Sequence, residues 1–239
     1  MVSKSGGHLA SSLGAVELAF TLHYCLDTPA DKIIWDVGHQ AYAHKILTGR
    51  NSDFDNLRKE DGVSAFCCKD ESEYDVFSTG HSSSSVSLAL GLVAGQKINS
   101  ADKPFKVVAV IGDGSLSGGL CFEGLNNAGH MGRDITIVLN TNEFSIAPNV
   151  GSISTYLNKI ISLPAYNRFR SSLESFVKNR LPKGSRVLKL ANKFEEGLKS
   201  LFIPGMLFEE LGFRYFAPFD GHDFEKLITA FKNILNLGG

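Results

Sequence analysis

The sequence is poor in cysteine, nearly free of net charge and without long apolar runs, and each shortage removes a class of protein. Its four cysteines, Cys25, Cys67, Cys68 and Cys121, include no C-x-x-C pair, so neither a zinc cluster nor a dithiol redox centre is indicated and a reducing compartment is expected. Lys plus Arg number 24 against 25 Asp plus Glu, a net charge of -1, which argues against a broad basic face for nucleic acid. No stretch approaches the roughly 18 uninterrupted apolar residues of a membrane span. The opening MVSKSGGHLASS lacks the basic and apolar regions of a secretory signal. A soluble, cytoplasmic protein is the expectation. The phosphate-loop pattern G-x-x-x-x-G-K-S/T and the nucleophile elbow G-x-S-x-G are absent. The glycines of IGDGSLSGG miss the G-x-G-x-x-G register of a dinucleotide fold.

What is present is apolar and glycine-rich. At 43% apolar, the 239 residues can bury a sizeable core, and 17 of the 24 glycines fall within positions 1–151. Leu13–Cys25 reads as a helix after the polar loop SKSGGHLASS. Ile33–Val37 reads as a short strand ending at Gly38 and His39, and Ser84–Gln96 as a helix capped by serines. FKVVAVIGDG, Phe105–Gly114, is a continuous apolar strand. A crossover helix within SLSGGLCFEGLNNAGHMG and a second apolar strand in DITIVLNTNEF complete a βαβ unit. The fold class expected is α/β, three-layered, with a mostly parallel sheet covered by helices. Residues 155–205 read as a helical insertion, 213–217 as a short strand and Asp223–Leu235 as a final helix.

In such sheets ligands collect beyond the carboxyl ends of the strands. Asp113 follows the first strand and Asn142 the second, so their oxygens can converge on a hard divalent cation. Backbone N–H groups at Gly114 and Ser115 can meet phosphate oxygens that the same Mg²⁺ bridges. The plain alternative makes Asp113 a turn or cap residue. His8, His39 and His81 each sit among Gly and Ser, where a ligand can come close, and imidazoles there suit proton transfer near neutral pH. His23 reads as a packed helix residue. His44, His130 and His222 read as structural, although His44 with Lys45 could face an acidic substrate. With no convincing nucleophile, covalent catalysis falls to a cofactor.

The segments SKSGGHLASSLGAVELAFTLHY, DKIIWDVGHQAYAHKILTGR, DVFSTGHSSSSVSLALG, VIGDGSLSGGLCFEGLNNAG, LNTNEFSIAPNVG and FRYFAPFDGHD resemble the thiamine-diphosphate enzymes of transketolase type, most closely the 1-deoxy-D-xylulose-5-phosphate synthase family. The resemblance implies Mg²⁺ held by Asp113, Asn142 and the backbone carbonyl of Phe144. It puts the diphosphate by Gly112, Gly114 and Ser115, a cofactor pocket at His81 and Ser82, and Ile146 against the cofactor. It makes His8 a proton-transfer group near the reacting carbon and places His39 by the thiazolium and substrate. The implied reaction joins pyruvate and D-glyceraldehyde 3-phosphate, with loss of CO₂, into 1-deoxy-D-xylulose 5-phosphate.

Two departures are small: LNTNEFSIA stands for the usual LNDNEMSIS, putting Thr141 in place of an acid, and YAHK stands for YPHK. A larger one is length. Family enzymes carry a further α/β domain that supplies the glutamate activating the aminopyrimidine, and a third domain after it. Residues 1–239 are therefore expected to form a single diphosphate-binding domain, truncated at both ends relative to the family, inactive alone and prone to self-association. The other readings are a subunit of a split enzyme completed by a companion chain, and a non-catalytic structural or regulatory module.

Overall fold

The computed structural model describes residues 2–99, 104–141, 205–216 and 218–237. By compactness the chain divides into two units, residues 1–149 with 219–239, and residues 150–218. The first begins with three helices, α1 (Val2–Ser5), α2 (Leu9–Leu13) and α3 (Val16–Cys25). β1 (Lys32–Trp35) and α4 (Tyr42–Lys45) follow, then α5 (Ser85–Ile98) and β2 (Val107–Gly112). The short α6 (Asp113–Leu116), α7 (Gly119–Met131) and β3 (Thr136–Asn140) complete the βαβ unit.

Among the described residues three strands form a parallel sheet in the order β1-β2-β3. Trp35 and Val138 flank Val110 from the two sides, and Gly112 pairs with Asn140. Val107 through Ile111 are all buried, as a strand covered on both faces requires. Alternate side chains serve opposite layers. Val108 and Val110 pack with Ile33, Trp35, Leu18 and Leu22, together with Leu227 and Phe231 of a final helix. Val107 and Ala109 pack with Ile34 and Ala89, against Leu88, Leu92 and Val93 of α5. Each such aliphatic side chain contributes roughly 1.5–3 kcal/mol through burial. This is the expected α/β sheet covered by helices.

Local departures have local causes. The helix expected over Leu13–Cys25 begins only at Val16, and the stretch read as a polar loop before it carries the short α1 and α2 instead. β1 stops at Trp35 because Val37 and Gly38 turn to φ values of 61° and 91°, outside any strand. β2 stops at Gly112, since Asp113 already opens α6.

In the second unit, α8 (Met206–Glu210) ends at Gly212, whose φ is 92°. There the Phe213 N–H reaches back to the Phe208 carbonyl at 2.9 Å, a helix-closing turn. The strand expected at 213–217 is therefore not formed over Phe213–Phe216. The Tyr215 ring stacks on Phe208 at 6.0 Å between centroids, so the alternating apolar residues pack locally rather than into a ladder. The expected helices at 155–204 lie outside the described residues. In the first unit the chain finishes with α9 (Phe224–Leu237), two residues longer than expected at its end. Among the described residues no helix is long and apolar enough to cross a membrane.

The contact between α5 and α7 depends on Gly124. A Cβ there would lie 2.8 Å from Ser87 Oγ and 3.2 Å from Val86 Cβ. Gly124→Val is expected to lower stability by about 1–3 kcal/mol, read as a lower urea midpoint with unchanged slope; an unchanged midpoint would mean the helices do not pack this closely.

Candidate functional site

The turn leaving β1 is tightly built. Thr79 Oγ1, the Cys67 amide and Phe66 Cβ lie 2.8, 3.0 and 3.2 Å from where a Cβ on Gly38 would sit, so only glycine fits at its φ of 91°. Val37, β-branched and at positive φ, is a strained residue held by its surroundings. His39 emerges from this turn half-buried, and its backbone carbonyl accepts the Ser12 hydroxyl at 3.0 Å. The exposed His8 meets it edge-on, with ring centroids 5.7 Å apart, and stacks on Phe66 at 6.2 Å. The fold thus brings together two histidines that lie 31 positions apart. Burial, and then the nearness of His8, lower the His39 pKa against the opposing pull of Asp36, so the ring is neutral at pH 7. Its buried Nδ1 has no protein partner among the described residues.

Asp36, 1% exposed, ties this turn to the next loop. Its carboxylate accepts the amides of Ser83 at 2.9 Å and Ser85 at 3.0 Å, satisfying N–H groups at the start of α5 from across the chain. Ser83, at a φ of 71°, in turn donates its hydroxyl to the Ser115 carbonyl at 2.7 Å. This chain of bonds links the loop of the exposed His81 and Ser82 to α6 at the end of β2.

At that end stands Asp113, half-buried. One carboxylate oxygen accepts the Gly114 amide at 2.8 Å and the other the Thr141 hydroxyl at 3.1 Å. Each oxygen keeps a lone pair for a hard cation, and among the described residues no basic side chain pairs with it. The Gly114 N–H, expected to face a phosphate, is turned onto Asp113. Asn142, Phe144 and Ile146 lie outside the described residues.

A second polar centre lies beneath the first. Lys45, fully buried, pairs with Glu71, and Arg50 bridges Glu71 at 2.8 Å and Asp75 at 2.7 Å. Asp75 also accepts His44 Nε2–H at 2.9 Å. Because Asp75 is an anion, the tautomers follow in order. His44 Nδ1 accepts from His23 Nε2–H at 2.9 Å, and His23 Nδ1 accepts from the Thr28 hydroxyl at 3.0 Å. The expectation that His44 and Lys45 could face an acidic substrate is overturned, since both are sealed against acids of their own chain. His23, read as a packed helix residue, is a bonded link in that chain.

His44, Cys67 and Asp75 gather one possible metal-ligand atom each within 4.8 Å of one another. Two observations count against a metal there. Arg50 already forks onto Asp75, and burial pushes the Cys67 thiol up to about 12, so no thiolate is offered. All four cysteines are free.

The sequence pattern of the family described as 1-deoxy-D-xylulose-5-phosphate synthase matches residues 1–239. The chain belongs to this family. The 1-deoxy-D-xylulose-5-phosphate synthase of Alkaliphilus oremlandii is 51% identical over 238 residues, covering 100% of this chain and 38% of that protein. The enzyme named 1-deoxy-D-xylulose-5-phosphate synthase 1 from Geobacter metallireducens is 52% identical over 232 residues, or 97% of this chain and 37% of its own length. That of Syntrophus aciditrophicus is 49% identical, with 100% and 36% covered. The chain thus spans little more than a third of these synthases. The family resemblance drawn from the motifs is the one these comparisons find.

Sequence reasoning missed Asp36, Arg50, Glu71 and Asp75 in this synthase-family chain. The only trace is that DESEYD sets two acids within reach of the basic HKILTGR segment once both are folded. Asp36→Asn keeps the shape but offers one acceptor oxygen to two amides; a loss of about 2–3 kcal/mol in urea unfolding is expected, and an unchanged midpoint would refute the bracing role. Burial, His44 and Arg50 lower the His23 pKa to about 4. Between that value and the unfolded value near 6.5 the unfolded chain binds more protons, so stability falls as pH falls through this window. Melting temperatures from pH 7 to pH 4 should show a decline that is shallower in His23→Gln; identical slopes would contradict the assignment.

Proposed function

We propose that the chain supplies the diphosphate-and-metal side of a thiamine-diphosphate-dependent 1-deoxy-D-xylulose-5-phosphate synthase. The observation that carries this reading is Asp113. It is a half-buried carboxylate at the carboxyl end of the central strand, beside Thr141 at the end of the neighbouring strand, in a chain of that family. Asp113, with Asn142 and the Phe144 carbonyl, would hold Mg²⁺, and Gly112, Gly114 and Ser115 would hold the diphosphate. His81, Ser82 and Ile146 would complete the pocket wall. When bound, thiamine diphosphate supplies the electron sink that lets pyruvate lose CO₂ and its two-carbon remainder join D-glyceraldehyde 3-phosphate.

The chain's own contribution is placement and proton handling. His39, neutral at pH 7, lines the substrate region through its ring, while the exposed His8 beside it handles the proton on the substrate side. The turn at Gly38 fixes the imidazole and the Phe66 ring shields His8 from one side. The groups that act on the pyrimidine side would come from another domain or a companion chain, and self-association would cover surface left by that division. Free thiols throughout accord with a cytoplasmic setting.

Isothermal calorimetry with Mg²⁺ and thiamine diphosphate tests the reading. Binding that weakens at least about tenfold in Asp113→Ala, with no change in Asp220→Ala, is the expected result. Equal binding by Asp113→Ala, or no binding by the unaltered chain, would contradict it. The 239-residue chain given pyruvate and glyceraldehyde 3-phosphate should bind cofactor without turnover, and robust product formation would refute the division of the site.

A further inference from the structure

Asp75 is buried and Glu71 half-buried in the loop after Phe66, and nothing in the proposed chemistry uses them. We propose that Asp75 is a positioning residue for the His8–His39 pair, pinning the 64–79 loop beneath the Gly38–His39 turn. This rests on the reading of that pair as the reaction-side histidines.

Asp75, 3% exposed, receives four donors: His44 Nε2 at 2.9 Å, Arg50 through NH1 at 2.7 Å and NH2 at 3.0 Å, and the Cys68 amide at 2.8 Å. The last bond is the one that reaches the site. Cys67 precedes Cys68, its carbonyl accepts the Thr79 amide at 2.9 Å, and its own amide and Thr79 Oγ1 crowd the Gly38 position. Glu71 secures the other end of the loop by accepting the Ser64 amide at 2.7 Å. Lys45 donates to the Ser64 hydroxyl at 2.9 Å, and that hydroxyl donates to the Phe66 carbonyl at 2.6 Å. Phe66 carries the ring on which His8 stacks. The buried Asp75, Lys45 and Arg50, with the half-buried Glu71, thus fix the backbone on both sides of Phe66 and Cys67.

Stability alone does not account for this arrangement. Buried ion pairs give little net stabilisation over apolar residues of similar volume, so their return is geometric. Two charges of each sign leave the cluster neutral while His44 and His23 are unprotonated, and each charged head has only one direction in which its bonds are satisfied. The carboxylate therefore sets the height of the loop against the turn. Without it Arg50 keeps Glu71, but the Cys68 amide and His44 lose their acceptor together.

Acylation of histidines by diethyl pyrocarbonate, mapped by mass spectrometry on the full chain without cofactor, reads the position of the loop. His81 is exposed and serves as the internal reference. In Asp75→Asn, folded by circular dichroism, the His39 rate relative to His81 should rise about fivefold. Gln96→Ala, which loses two bonds to the Phe105 backbone at the opposite end of the sheet, should leave that ratio unchanged. An unchanged ratio in Asp75→Asn overturns the proposal, as does an equal rise in Gln96→Ala, which would mark general softening. If Asp75→Asn does not fold, Glu71→Gln takes its place with a smaller rise expected, and no rise counts against the proposal. Amide exchange in the unaltered chain is a check that needs no variant. Ser64, Cys68 and Thr79 should exchange as slowly as the β2 amides, and rapid exchange there would overturn the loop's fixed position. Because no cofactor is present, these outcomes are independent of whether thiamine diphosphate binds.

Discussion

Burial of β2 on both faces is the constraint from which the other features follow. A strand covered by helices above and below must be apolar at every position, and its neighbours must run parallel to leave room for the crossover helices. Parallel strands end on the same side, so the carboxyl ends of β1, β2 and β3 deliver Asp36, Asp113 and Thr141 toward one edge of the sheet. Polar residues become possible only where the apolar layer stops. His39, Asp113 and Thr141 follow strand ends for that reason, whereas His8 and His81 come from loops ahead of helices.

Those turns are held by carboxylates rather than by further apolar packing. Asp36 gathers the amides at the start of α5, and Asp75 with Glu71 gathers those of the 64–79 loop. A loop beside a ligand site cannot bury much apolar surface without closing the site, whereas a buried carboxylate satisfies several amides from a single point. The strained φ values at Val37 and Ser83 sit beside Asp36, where bonding on both sides over-determines the backbone. His39 takes its place from this framework, while burial and the neighbouring His8 lower its pKa against the pull of Asp36.

The sequence discloses the parts whose signals are local. The run KVVAVIG followed by Asp113 marks a buried strand and its end, and the Gly and Ser around His8 and His39 mark chain that can approach a ligand. The three strands and their parallel sense were legible on these grounds, but their order was not. Asp36 and its amide partners are 47 and 49 positions apart, and Asp75 meets His44 across 31 and Arg50 across 25. No periodicity encodes such pairings, and an acidic run like DESEYD reads as solvated until its basic partners are placed. The misread strand near residue 213 shows the opposite error. Its apolar alternation is real, but Gly212 closes α8 and Tyr215 spends its ring on Phe208.

Under the proposed function the metal-bearing site lies at the strand ends and not in the buried His44–Cys67–Asp75 group. Mn²⁺ substituted for Mg²⁺ in the presence of thiamine diphosphate broadens amide resonances according to their distance from the ion, so a ¹⁵N spectrum locates it directly. Broadening centred on Gly112 to Ser115 and on Asn140 and Thr141 is the result the account predicts. Broadening centred on His44, Cys67 and Asp75, with the Asp113 region unaffected, would contradict it.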